Sequence, residues 1–156
     1  MTSRVIVLPS LDGEAVADFA ANLSFMLRPQ EVHIIGSIDP HLPEHEWVAA
    51  VSLGISRTDK AFQSVHLVAI GDAASRLPAI AFAQLAARRR VLSYVCINSI
   101  PQGQFADWPD APVCFVTSDE KSEHINIARL RGWESVHAPH DEIHQIVAES
   151  IRSNTI

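Results

Sequence analysis

Cysteine, aromatic residues and positive charge are all scarce in this chain of 156 residues. The two cysteines, Cys96 and Cys114, each fall inside an apolar run, where reduced core thiols are commoner than a disulfide or a metal site. Net charge is −6, and three adjacent basic residues occur only at Arg88-Arg89-Arg90. No basic stripe therefore tracks a phosphate backbone, and we expect no nucleic-acid partner. No apolar stretch reaches a membrane span without Asp or Arg interrupting it. The opening Met1 to Pro9 holds too short an apolar run for a secretory signal. These absences predict a cytoplasmic protein with no membrane association. Glycine is sparse where phosphate-binding loops need it: the first turn, Pro9-Ser10-Leu11-Asp12-Gly13, has a single Gly, and no Gly-Lys-Ser/Thr follows any strand. Dinucleotide and P-loop sites are excluded on that ground, and no cofactor is expected.

Apolar residues are plentiful, at 47%, enough for one domain over 1–156 with a substantial core. Short β-rich runs alternate with longer helical patterns, which argues for an α/β fold: a three-layer α/β/α sandwich around a six-stranded, mainly parallel sheet. The predicted strands are Val5 to Leu8, Val32 to Ile35, Val65 to Ile70, Val91 to Ile97, Val113 to Thr117 and Glu134 to His137. Helices are predicted near 13–27, 44–57, 74–89, 121–131 and 141–152. The stripe Val16, Phe19, Ala20, Leu23 and Met26 has helical spacing and reads as core packing. Ser99 to Ala111, with Pro101, Gly103 and Pro109, reads as one long loop.

Ser64 to Ala87 combines a buried strand, a tight turn and a helix, with Gly71-Asp72-Ala73-Ala74-Ser75 at the turn. That frame resembles the nucleophile elbow of serine hydrolases, G-x-S-x-G, with Ala73 at the serine position. Leu8-Pro9-Ser10-Leu11-Asp12-Gly13 likewise resembles the L-P-G-L-D-G opening of small lidless bacterial α/β-hydrolases of thioesterase or esterase type, and the resemblance runs on to the C-terminus. It implies a minimal hydrolase-like core beginning at the third strand of the fold, with no lid in Ser99 to Ala111. It also implies a catalytic order of nucleophile, acid, histidine, carried here by Ala73, Asp119 and His140. Backbone N–H groups near Ser10 or Leu11 and at Ala74 would fall at the oxyanion positions. Ser10 and Ser75-Arg76 depart from the glycines and small residues of the pattern, which favours natural divergence over a single engineered change.

A methyl group cannot attack a carbonyl. The resemblance therefore implies a protein that binds a small acyl or carbonyl compound and performs acid/base chemistry without a covalent intermediate. Elimination, cyclisation, decarboxylation or isomerisation would suit His140 oriented by Asp119. Two alternatives stand beside it: a pseudoenzyme serving binding or assembly, and a thioesterase whose nucleophilic serine was replaced by Ala73.

Several of these residues also have plainer roles. Asp119 and Glu120 suit a helix start, Asp72 suits a turn that binds its own backbone, and His140 suits a solvated loop. Asp39, His41 and His45, after the second strand, should reach the same rim and line the pocket. The spacings of His137, His140, Asp141 and His144 would allow a metal, but neither histidine set forms H-E-x-x-H and eight histidines cluster somewhere by chance, so no metal is expected. The apolar edge at Val32 to Ile35 calls for a cover, and a second copy forming a homodimer would supply it.

Overall fold

The computed structural model describes residues 3–12, 16–58, 64–103, 105 and 107–155. Six strands form one sheet: β1 (Ser3–Val7), β2 (Glu31–Ile34), β3 (Ser64–Ile70), β4 (Val91–Ile97), β5 (Val113–Thr117) and β6 (Glu134–His137). Their order is β2-β1-β3-β4-β5-β6, and every neighbouring pair is parallel. Parallel neighbours demand a crossover between successive strands. The crossovers include α1 (Ala17–Leu27), α2 (Glu44–Arg57), α3 (Leu77–Ala86) and α4 (His124–Leu130), and α5 (Ile143–Ser153) follows β6.

The side-chain alternation of the strands feeds two cores. On one face Ile6, Leu8, Leu67, Ala69, Tyr94 and Phe115 meet Trp47, Val51 and Ile55 of α2 and Leu77 and Ile80 of α3. On the other, Val5, Val7, Val68, Val95 and Val116 meet Leu23 of α1 and Val147 and Ile151 of α5. The predicted three-layer α/β/α architecture is the observed one. The central strands read as near-continuous apolar runs because both faces are covered. Cys96 and Cys114 are free and buried, one in each core, and burial pushes both thiols up, that of Cys114 to about 12. Among the described residues no helix is long and apolar enough to cross a membrane.

Two expectations change. The helix predicted over 74–89 begins instead as a 3-10 turn, Gly71–Arg76, and becomes α-helical only at Leu77, with Pro78 in its first turn. The predicted start of α1 at 13–15 lies outside the described residues. The Val32 to Ile35 edge is only partly open: Ile34 is 47% exposed, whereas Ile35 is buried against α2. Gly54 of α2 makes room for it, since a Cβ there would lie 2.7 Å from Ile35 Cγ2. The loop over 99–111 is fastened rather than loose. Arg131 donates to Pro101 O at 2.9 Å and to Gly103 O at 2.8 Å. Trp108 packs edge-on against Tyr94 and Trp133 at centroid distances of 5.2 and 5.6 Å, covering the core.

His66 of β3 is fully buried. The Thr155 hydroxyl is spent on Ile151 O at 2.7 Å, so Nε2–H donates to Thr155 Oγ1 at 3.1 Å and Nδ1 accepts from Ser93 Oγ at 2.7 Å. Burial holds this neutral imidazole down at about 4, against 6.5 in the unfolded chain. Below 6.5 the unfolded chain takes up a proton that the fold refuses. Stability is therefore complete above pH 6.5 and falls by roughly 3 kcal/mol as pH drops towards 4. Urea melts across that window should show the loss, with a shallower slope in His66→Gln. Gly54→Ala should lower stability by about 1 kcal/mol, because crowding against Ile35 outweighs the gain in helix propensity.

Candidate functional site

Because all six strands run the same way, the residues that follow them collect along one edge of the sheet. The strand order reverses between β1 and β3, the position where open α/β sheets leave a crevice for ligands. On one side of this position lies the loop after β1. There Ser10 Oγ donates to the Asp12 carboxylate and accepts the Asp12 N–H at 3.1 Å. Leu11 packs inward on the core. On the other side lies the turn after β3, where Gly71 takes the left-handed φ of +62° that turns the chain sharply from strand into helix. A Cβ built on Gly71 would face open space apart from Asp12 Oδ2 at 3.7 Å, so the two sides meet at these residues.

Ala73 lies two residues further on, fully buried in the core together with Ala74. The Ala73 methyl thus packs into the core beneath the turn. The residue at the sharp turn is Gly71, flanked at two residues on either side by the buried, small Ala69 and Ala73. Asp72 is exposed, and its carbonyl accepts the Ser75 hydroxyl at 2.7 Å, the local turn role.

Arg76 ends the turn and ties it to α2. Its Nε lies 3.7 Å from Glu44 Oε1 and its guanidinium lies over the Trp47 ring at 5.4 Å. Its Nη1 is buried without a hydrogen-bond partner among the described residues. This places a cationic donor beside the segment that holds Asp39, His41 and His45. Asp39 Oδ1 accepts the His41 N–H at 2.9 Å in a local turn, and the His45 side chain is 83% exposed.

Asp119 and His140 both follow strands at this edge, yet they share no hydrogen bond or ion pair. Asp119 Oδ1 accepts the Lys121 N–H at 2.9 Å, and its own N–H donates to Thr117 Oγ1 at 3.0 Å. His140 is exposed and opens a short 3-10 turn, His140–Glu142, only Ala138 and Pro139 beyond β6. Since β4 and β5 lie between β3 and β6, the strand ends bearing Gly71 and His140 stand three strand spacings apart, roughly 14 Å.

The imidazole that does reach β5 is His137, whose Nε2 lies 3.3 Å from Ser118 O. Ser118 is held in turn by Asn98 Oδ1, which accepts its N–H at 3.0 Å and its hydroxyl at 3.3 Å. Asn98 has φ +63°, a conformation Asn tolerates better than most residues. An Asn directly after an apolar strand was the one signal in the sequence for this turn. Among the described residues no three His, Cys, Asp or Glu side chains group to hold a metal ion.

No protein-family model and no curated protein matches this chain. A solved structure does: the NocB thioesterase domain, crystallised as a covalent complex with a fluorophosphonate nocardicin G analogue. It is 14% identical, with a TM-score of 0.56 over 98% of this chain and 94% of that one. At that identity the likeness is one of fold: this chain has the α/β fold of a thioesterase domain.

Proposed function

We propose that this chain uses a thioesterase-like scaffold to bind a small acyl or carbonyl compound at the β1/β3 crevice and acts on it without forming an acyl-enzyme. One observation carries the reading: the residue at the sharp strand-to-helix turn is Gly71, which has no side chain, while Ala73 is buried. Covalent catalysis needs an activated nucleophile at that turn. What the crevice offers instead is polar. The Asp12 carboxylate beside Gly71 can take a proton, the Arg76 Nη1 without a hydrogen-bond partner can bind an oxygen, and turn N–H groups can polarise a carbonyl.

Proton transfer next to a carbonyl, as in elimination, cyclisation, decarboxylation or isomerisation, fits such a set. His140 with Asp119 fits it less well, since Asp119 serves its own turn. Were Ala73 a replacement for an original serine, a hydroxyl restored at that position would attack. At a fully buried position it would meet packed core instead.

A second reading, assembly without catalysis, draws on Ile34, the large apolar side chain exposed on edge strand β2. An apolar edge strand is a pairing surface, and a second copy of the chain would cover it.

Ala73→Ser is expected to leave the protein inert towards p-nitrophenyl acetate and to destabilise it by about 1–2 kcal/mol through a buried, unpaired hydroxyl. Ester cleavage by that variant would establish the thioesterase reading in place of this one. A butyryl thioester titrated into the native protein should perturb the NMR signals of Gly71 and Arg76, and Asp12→Asn and Arg76→Gln should weaken that binding about tenfold. Binding unaffected by both changes would move the site elsewhere. If assembly is the role, sedimentation should show a dimer that Ile34→Lys converts to monomer.

A further inference from the structure

Among the described residues, the crossover from β4 to β5 is the one built without a helix. The loop over 99–111 takes the place of that helix and lays Trp108 on the core that α2 and α3 cover. Loop and rings fill a helix-sized space incompletely, and two hollows border on Trp108. The larger, of about 360 Å³, is lined by Gly103, Phe105, Trp108, Pro109, Arg131 and Trp133. That volume is within the range of small-ligand sites. The smaller, of about 170 Å³, shares Phe105 and Trp108 and runs to Phe82 and Leu85 of α3.

Rings shape the larger hollow. Phe105 and Trp133 each stand edge-on to Trp108, at centroid distances of 6.3 and 5.6 Å and interplanar angles of 86° and 83°. They bound the space with the buried Trp108 behind them, a setting that offers a flat ligand both ring faces and ring edges. Phe105 is 41% exposed, so a ligand ring laid against it would remove apolar surface from water.

The charge in this hollow has one sign. Arg131 is the one charged side chain among the described residues that line it. Its guanidinium lies over the Trp133 ring at 4.9 Å, while Nη1 and Nη2 donate to Pro101 O at 2.9 Å and Gly103 O at 2.8 Å. These neutral carbonyls fix the group in place and leave its charge intact. A guanidinium has five N–H donors, so three remain for a ligand. The carbonyl end of α4 brings roughly half a negative charge, less than the guanidinium supplies. The loop's carboxylates, Asp107 and Asp110, line the smaller hollow instead, and Asp110 accepts the Tyr94 hydroxyl there at 2.5 Å.

We infer that this hollow binds a small aromatic carboxylate, its ring among Phe105, Trp108 and Trp133 and its carboxylate on the Arg131 N–H groups that the loop leaves open. The planar donors of a guanidinium match the two oxygens of a carboxylate. An aliphatic acid would satisfy the cation without using the rings, and a neutral arene would do the reverse. The site is independent of the β1/β3 crevice: Pro109 and Trp133 precede β5 and β6, whereas Gly71 follows β3.

NMR titration with 2-naphthoate tests this through the indole N–H signals of the three tryptophans. Those of Trp108 and Trp133 should shift, whereas that of Trp47, which lies against Arg76, should not. 2-Naphthoate should bind about tenfold more tightly than 2-naphthamide, which lacks the charge, and about tenfold more tightly than cyclohexanecarboxylate, which lacks the flat ring. Phe105→Ser, at an exposed side chain, should weaken 2-naphthoate about fivefold with the melting temperature unchanged. Arg131→Lys keeps the charge but loses the planar fork, and should weaken it about tenfold. Arg131 also fastens the loop, so if that variant melts early the ligand series on the native protein carries the decision. Equal binding of 2-naphthoate and 2-naphthamide, tighter binding of 2-naphthylmethylamine, or a shift at Trp47 with none at Trp108 and Trp133 overturns the inference.

Discussion

Every functional feature of this molecule depends on the parallel alignment of its six strands. A parallel pair cannot be joined by a tight turn, so each connection must climb back over a face of the sheet and bury an apolar stripe there. Val5, Ile6, Val7 and Leu8 are all inaccessible to water for this reason, as are Leu67, Val68 and Ala69. Burial on both faces supplies most of the cohesion. It also sorts the chain ends of the strands, sending all the residues that follow strands to one edge and all that precede them to the other. Gly71 and its neighbour Asp12 lie at the first edge and a cavity lined by Arg88, Arg89 and Arg90 at the second.

The turn after β3 carries no side chain at its left-handed residue. A strand-to-helix turn of this sharpness needs small neighbours so that the helix can close on the sheet, and Ala69 and Ala73 meet that need as buried residues. It also needs one residue of left-handed conformation, which Gly71 adopts without steric cost. Here the neighbouring polar groups are Asp12 and Arg76, one from the loop after β1 and the other from the end of the turn itself.

The sequence was most legible where periodicity and burial coincide. Helix α2 runs from Glu44 to Arg57, the bounds its pattern predicts, β4 and β5 match their apolar runs, and β6 spans its predicted residues. The turn after β3 was read as a turn, and its left-handed residue is Gly71, two residues before the Ala73 that the motif singles out. A motif fixes spacing, whereas the apex is defined by φ, and both Gly71 and Ala73 are small enough to take either place. His140 was the natural histidine to choose by chain order. In the structure it opens the short 3-10 turn after β6, exposed and without a hydrogen bond to Asp119. Ile35 looked like exposed edge and proved to be core, since the helix that covers it carries Gly54 at the point of contact.

From its own pattern of apolar residues, turn formers and charges, the chain determined its fold class and the alternation of strands and helices that builds its layers. Those properties are local or periodic, so they can be read along one dimension. Tertiary structure alone decided which groups meet: Asp12 with Gly71, Arg76 with Glu44, His137 with Ser118, and the arginines of α3's end with the close of α5. Such encounters depend on strand order and loop length acting together over many residues, and spacing along the chain carries no record of them.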